Sequence, residues 1–236
     1  MGKVLFKSFP VGSPLGIPVR IQGLFVVFFA LLGSYFLVVE GVTKGLDTIL
    51  FLGAAFFFVV FHELGHAIVA QKLGVRVIDV TIWPLGGMAR LENVPRAGLI
   101  EIAIAVAGPL VNFTFAFLLF GLQKILTLAG AGHIQTLEML AWINILLALF
   151  NILPAFPLDG GRILRGGLSF ALGFDRATTI SVLIGRLLAI LLSGVSMYFH
   201  MPFLILVAVF IFYAARQEDQ EMDATPMKDD LSRNPA

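Results

Sequence analysis

Apolar residues fall in long runs separated by short polar stretches, and these runs set the architecture the chain predicts. Crossing a bilayer takes about 20 residues of helix at about 1.5 Å per residue. Runs of roughly that length lie near 21–40, 49–71, 98–122, 137–153, 179–199 and 202–215, the last one short. The pattern predicts an all-α polytopic membrane protein with about six transmembrane helices. One interval departs from it. Between the second and third runs, Val75, Val77, Val80 and Ile82 alternate loosely with polar residues and lead into Trp83-Pro84-Leu85-Gly86-Gly87. That predicts a short membrane-associated β hairpin, although a plain amphipathic connector fits the alternation about as well.

Composition agrees with the pattern. The chain is 58% hydrophobic and 13% charged, against an apolar share of about 45–50% in soluble domains, so an ordinary soluble globule is excluded. Cysteine is absent, which removes disulfides and thiolate metal sites and leaves His and carboxylates as zinc ligands. The net charge of +1 says nothing of partners, but the placement of the basic residues does. In a six-span layout, 13 of the 16 Lys and Arg residues fall on the side of the termini. Only Lys44 and Lys124 fall on the other, and Arg186 sits unassigned inside the fifth run. The positive-inside rule then places both termini in the cytoplasm. Pro10, Pro14 and Pro18 precede the first run, and no short apolar stretch with a cleavage site stands out, so the first span is expected to be retained.

The organisation expected is a transmembrane domain over 1–217, with its core near 49–165, and a polar acidic tail or linker over 218–236. A further domain could follow that tail. Internal repeats and nucleotide-binding glycine patterns are lacking, and the basic residues mark loops on one membrane face, so no nucleic-acid partner is expected. Within the third run, Gly108-Pro109 should kink the helix, and Asn112, like Asn144 in the fourth, reads as glue between helices.

The candidate chemistry lies near the end of the second run, at His62-Glu63-Leu64-Gly65-His66. Residues four apart share a helix face, so both imidazoles can reach one Zn²⁺, while Glu63 is placed to hydrogen-bond a metal-bound water. In this HExxH arrangement zinc acidifies the water and the glutamate takes its proton. Three ionisable residues within a membrane run, each costing about 2.5–3.5 kcal/mol there, favour a built site over a helix end reaching for the interface.

A third ligand must be His, Asp or Glu on the cytoplasmic side. Asp159 fits, in Asn151-Ile152-Leu153-Pro154-Ala155-Phe156-Pro157-Leu158-Asp159-Gly160-Gly161 at the cytoplasmic end of the fourth run. Pro154 and Pro157 should stop the helix, and the glycine pair should permit a sharp turn.

The two motifs together resemble the site-2 protease family of intramembrane zinc metalloproteases, over about residues 55–165. The resemblance implies one Zn²⁺ per chain held by His62, His66 and Asp159. It implies Glu63 as general base, Asn151 as a donor to the substrate carbonyl or its oxyanion, and a transmembrane protein as substrate within the lipid bilayer. It also implies variable flanking helices and, in some members, a C-terminal regulatory CBS domain. No such domain fits after Gln217, and no PDZ-like insertion is recognisable. Other readings use the same residues differently. A protease of another class would take Glu92, Glu101 or Glu138 as third ligand, a metal transporter would need no base at Glu63, and a scaffold would need no chemistry.

Overall fold

The computed structural model describes residues 7–84 and 86–224, with the backbone alone at 202, 203 and 219–224. Among these residues the elements run β1 (Ser8–Gly12), β2 (Val19–Gln22), α1 (Gly23–Val39), α2 (Val42–Lys72), β3 (Arg76–Trp83) and β4 (Gly86–Glu92). There follow α3 (Gly98–Leu128), α4 (Gln135–Ile152), α5 (Asp159–Leu172), α6 (Phe174–Phe199) and α7 (Pro202–Ala224). Four of the helices, α2, α3, α4 and α6, are long and apolar enough to cross a membrane, and α1 is a shorter apolar helix of 17 residues. The chain is an integral membrane protein. It divides into two compact units, residues 1–95 with 103–150, and residues 96–102 with 151–236.

In the first unit the strands form one sheet in the order β1-β2-β3-β4. The β3–β4 pair is the hairpin the alternation predicted, but it belongs to a four-stranded sheet. The N-terminal strands were not foreseen because prolines punctuate them. Pro10 lies on β1, an edge strand, where a missing N–H costs no ladder bond. β2 and β3 are parallel because α1 and α2 run between them, while the other pairs are antiparallel. The sheet rests on the turn of α2 that carries the motif: Leu64 and Ala67 are buried against Ile17, Val19, Val80 and Ile82. Around α2, Phe56 meets Phe25 of α1 edge-on at 4.8 Å, and Phe58 meets Phe115 of α3 at 5.0 Å. On the face of α2 toward α3, a Cβ at Gly65 would stand 2.9 Å from the Ala107 carbonyl oxygen. Glycine there lets the two backbones approach closely.

Asp79 of β3 is buried and ties the sheet together. It accepts from Arg90 Nε of β4 at 2.7 Å and from the Thr81 hydroxyl at 3.2 Å, and Arg20 of β2 lies 4.0 Å away. Hydrogen bonding by Arg90 holds the Asp79 carboxyl below its ordinary value, against the opposing effect of burial. Because the folded value is depressed, this stabilisation is complete above the unfolded value of about 3.9. It disappears as pH falls through the folded value. Asp79→Asn should cost about 1.5–3 kcal/mol, the worth of a hydrogen bond to a charged group, measured as a loss of thermal stability at neutral pH that shrinks in acid.

In the second unit, α6 and α7 enclose Ala155 and Leu158 in a core with Ala189, Ala208 and Ile211. The glycines after Asp159 differ from expectation. They make no turn; Gly160 and Gly161 are the second and third residues of α5 and are buried. A Cβ on Gly160 would collide with the Ile152 and Leu153 carbonyls, and one on Gly161 would come within 2.7 Å of Phe156 N. Their role is to let the start of α5 lie against the chain that precedes it. Arg165 of α5 lies between the rings of Phe156 and Phe174, at 4.8 and 4.9 Å, and pairs with Glu101 and Glu218. α7 continues through Ala224, so the expected acidic tail begins as helix; residues 225–236 of that tail lie outside the described residues.

Candidate active site

The first unit holds most of the predicted chemistry. His62 and His66, one turn apart on α2, are both buried and face α3 with their Nε2 atoms 3.1 Å apart. Two nitrogens bound at about 2.0–2.1 Å to a tetrahedral zinc stand about 3.3 Å from each other, so the pair has the spacing such an ion requires. The outer nitrogens are engaged elsewhere. His66 Nδ1 lies 2.7 Å from the Ile104 carbonyl, which can only accept, so that Nδ1 carries the proton and Nε2 the lone pair. His62 Nδ1 lies 2.5 Å from Asn112 Oδ1. Both rings can thus offer Nε2 to a metal.

The space beside the two Nε2 atoms is kept by Gly108 of α3. A Cβ built there would stand 2.6 Å from His62 Nε2 and closer still to His66. Glu63, one residue round the helix from His62, turns instead to β4. Its Oε2 accepts the Ala89 N–H at 2.9 Å, and its side chain packs so closely on Gly87 that a Cβ there would lie 3.1 Å from its Cδ. The Val80 N–H donates to Pro18 O on the β2 side, so Val80 turns its polar groups away from β4 and its partner Ala89 turns its own outward. The base candidate is therefore seated on the open edge of the sheet.

In the second unit, Asp159 is buried as the first residue of α5, and Asn151 is half-buried near the end of α4. The alternative ligands are otherwise engaged. Glu101 pairs with Arg165, Glu92 with Arg76 at 3.3 Å, and Glu138 with His133 at 2.8 Å. Arg186 lies half-buried in α6. The contact of Asn112 with a histidine, and the three made by Gly108, Gly87 and the Ala89 amide, leave no mark in the local sequence. HExxH spacing gives the face of one helix and says nothing of the surface that meets it.

A buried pair of metal-spaced imidazoles on an apolar helix, with a carboxylate beside it, marks a membrane metalloprotein. The chain belongs to Peptidase family M50, whose pattern it matches over residues 50–130 and 123–192. It is 33% identical over 227 residues to a zinc metalloprotease of Methanocaldococcus jannaschii, covering 94% of this chain and 65% of that protein. With stage IV sporulation protein FB of Bacillus subtilis it shares 32% identity over 125 residues, 52% of this chain and 42% of that protein. The chain thus spans less than two thirds of either curated relative. Its structure is similar to that of the site-2 protease from Methanocaldococcus jannaschii, with a TM-score of 0.65 and 32% identity, covering 90% of this chain and 95% of that one.

Proposed function

We propose that this chain is an intramembrane zinc protease that hydrolyses peptide bonds within the transmembrane segments of membrane-anchored proteins. The observation that carries the reading is the pair of Nε2 atoms 3.1 Å apart with their Nδ1 atoms engaged elsewhere, beside a carboxylate that is not needed as a ligand. His62, His66 and the buried Asp159 are the proposed ligands, a two-histidine, one-carboxylate set that leaves a fourth position open. Bound zinc would supply Lewis acidity toward the attacking water and the scissile carbonyl.

The remaining steps belong to the chain's own groups. Glu63 takes the proton lost by the attacking water and passes it to the leaving amine, a role worth about 10²–10⁴ in rate. Asn151 donates a hydrogen bond from its amide to the developing oxyanion. Gly108 keeps the space in front of the histidines clear, and the Ala89 amide holds Glu63 alongside. The membrane-associated β3–β4 hairpin offers a second element. A helical substrate must be unwound before its carbonyls can be attacked, and the outward-facing edge of β4 can hold the unwound segment by backbone pairing. Ala89→Pro removes the outward N–H that both seats Glu63 and edges the sheet, without breaking the β3–β4 ladder, and should lower cleavage of a transmembrane reporter at least about tenfold. Unchanged cleavage would show that neither the seat of Glu63 nor the edge of β4 is needed.

Six spans, with α1 and α7 also crossing, put both termini and the opening of the site in the cytoplasm, supported by the count of basic residues. Helix geometry supports the same side. His62 follows Asp47 by 15 residues, about 22 Å along α2, which is past the middle of a hydrocarbon core about 30 Å thick. A transporter would instead need a site near the midplane reachable from both sides. Residues 1–217 would form the protease domain, with the segment from 218 leading to a regulatory domain or partner. Zinc content and cleavage of a transmembrane reporter, measured together on the wild type, Glu63→Gln and Asp159→Asn, test this function.

A further inference from the structure

We propose that Asn112 and Asn144 are positioning residues that fix the tautomer and direction of His62, and that they act as a relay fixed at one end by a backbone carbonyl. The relay crosses three helices of the first unit. Asn144 Nδ2 donates to the Leu140 carbonyl at 2.9 Å, Asn112 Nδ2 donates to Asn144 Oδ1 at 2.9 Å, and Asn112 Oδ1 faces His62 Nδ1 at 2.5 Å. Both asparagines are fully buried, so no water is available to satisfy a reversed amide.

An amide alone is ambiguous, because its oxygen and nitrogen can exchange places by a half-turn. The relay removes that ambiguity step by step. The Leu140 carbonyl can only accept, so the NH₂ of Asn144 must point to it and Oδ1 must point to Asn112. Asn112 then has to present its NH₂ to Asn144 and its oxygen to His62. A lone oxygen facing Nδ1 requires a proton there, which leaves the Nε2 lone pair directed at the metal position. His66 reaches the same state through the single Ile104 carbonyl. Two neutral imidazoles with their Nε2 atoms 3.1 Å apart offer one cation two nitrogen donors at once. The relay therefore prepares a cation site, in the way outer partners of metal-bound histidines do. Helix glue would need no defined direction.

The test is the zinc dissociation constant of the full chain in detergent, measured by competition with a chelator, so that it stands apart from any result on proteolysis. Asn112→Leu should weaken zinc about 10–100-fold. Asn144→Leu, which touches neither histidine, should weaken it measurably by letting Asn112 turn over. A carboxylate presents oxygen whichever way it turns, so Asn112→Asp should restore affinity to the Asn144→Leu protein. If Asn144→Leu leaves zinc affinity unchanged, or weakens it equally in the Asn112→Asp background, the relay is overturned and the asparagines are packing residues. The Asn144→Leu arm decides the matter even if Asn112→Leu does not fold.

Discussion

Glu63→Gln is expected to lower cleavage of a transmembrane reporter by about 10²–10⁴, the usual contribution of a general base, while zinc stays at one per chain. The substitution is isosteric. The carboxamide oxygen can still accept from the Ala89 N–H, so the side chain keeps its seat on the sheet edge. The histidines, their Nδ1 partners and the cleared space at Gly108 are untouched. Only the capacity to take a proton is lost. Zinc content and cleavage measured on the same preparation separate this from the alternatives: a transporter variant would keep metal flux, and a structural glutamate would lose zinc along with activity. Full cleavage by the glutamine variant would remove Glu63 from the mechanism.

Gly108→Ala should abolish zinc binding and, with it, cleavage. The added Cβ would stand 2.6 Å from His62 Nε2, and neither histidine can withdraw without breaking its contact to Asn112 or Ile104. In other respects alanine suits the position, since it is worth about 1 kcal/mol more than glycine inside a helix. The metal-free protein should therefore remain folded, with circular dichroism unchanged, while zinc per chain falls toward zero. A fully loaded Gly108→Ala protein would show that the space beside the two Nε2 atoms is not where the metal sits.

How much of this could be read from the sequence depends on the range of each interaction. The histidine pair was legible because its spacing is local: four residues on a helix bring two rings together whatever packs around them, and they do meet. The membrane character was legible because run length and composition do not depend on tertiary contacts. The hairpin was legible in part, its alternation marking β3 and β4, but the partners that complete the sheet lie more than fifty residues away in a proline-interrupted segment. The pair Gly160-Gly161 was misread for a related reason. Glycine serves both for turns and for close approach, and only the chain folding back on residues 152–156 shows which. Asn112 likewise looked like any polar residue between helices. Its second contact, to a histidine 50 positions away, exists only once α2, α3 and α4 are side by side.

Asp159→Asn decides whether the proposed ligands His62, His66 and Asp159 serve one protease site. Zinc content and cleavage of a transmembrane reporter should be measured on the purified wild type and on this variant under the same conditions. The amide, a far poorer zinc ligand than a carboxylate, should leave the protein folded but depleted of zinc and without detectable cleavage. A variant that holds zinc at one per chain and cleaves at the wild-type rate would contradict it.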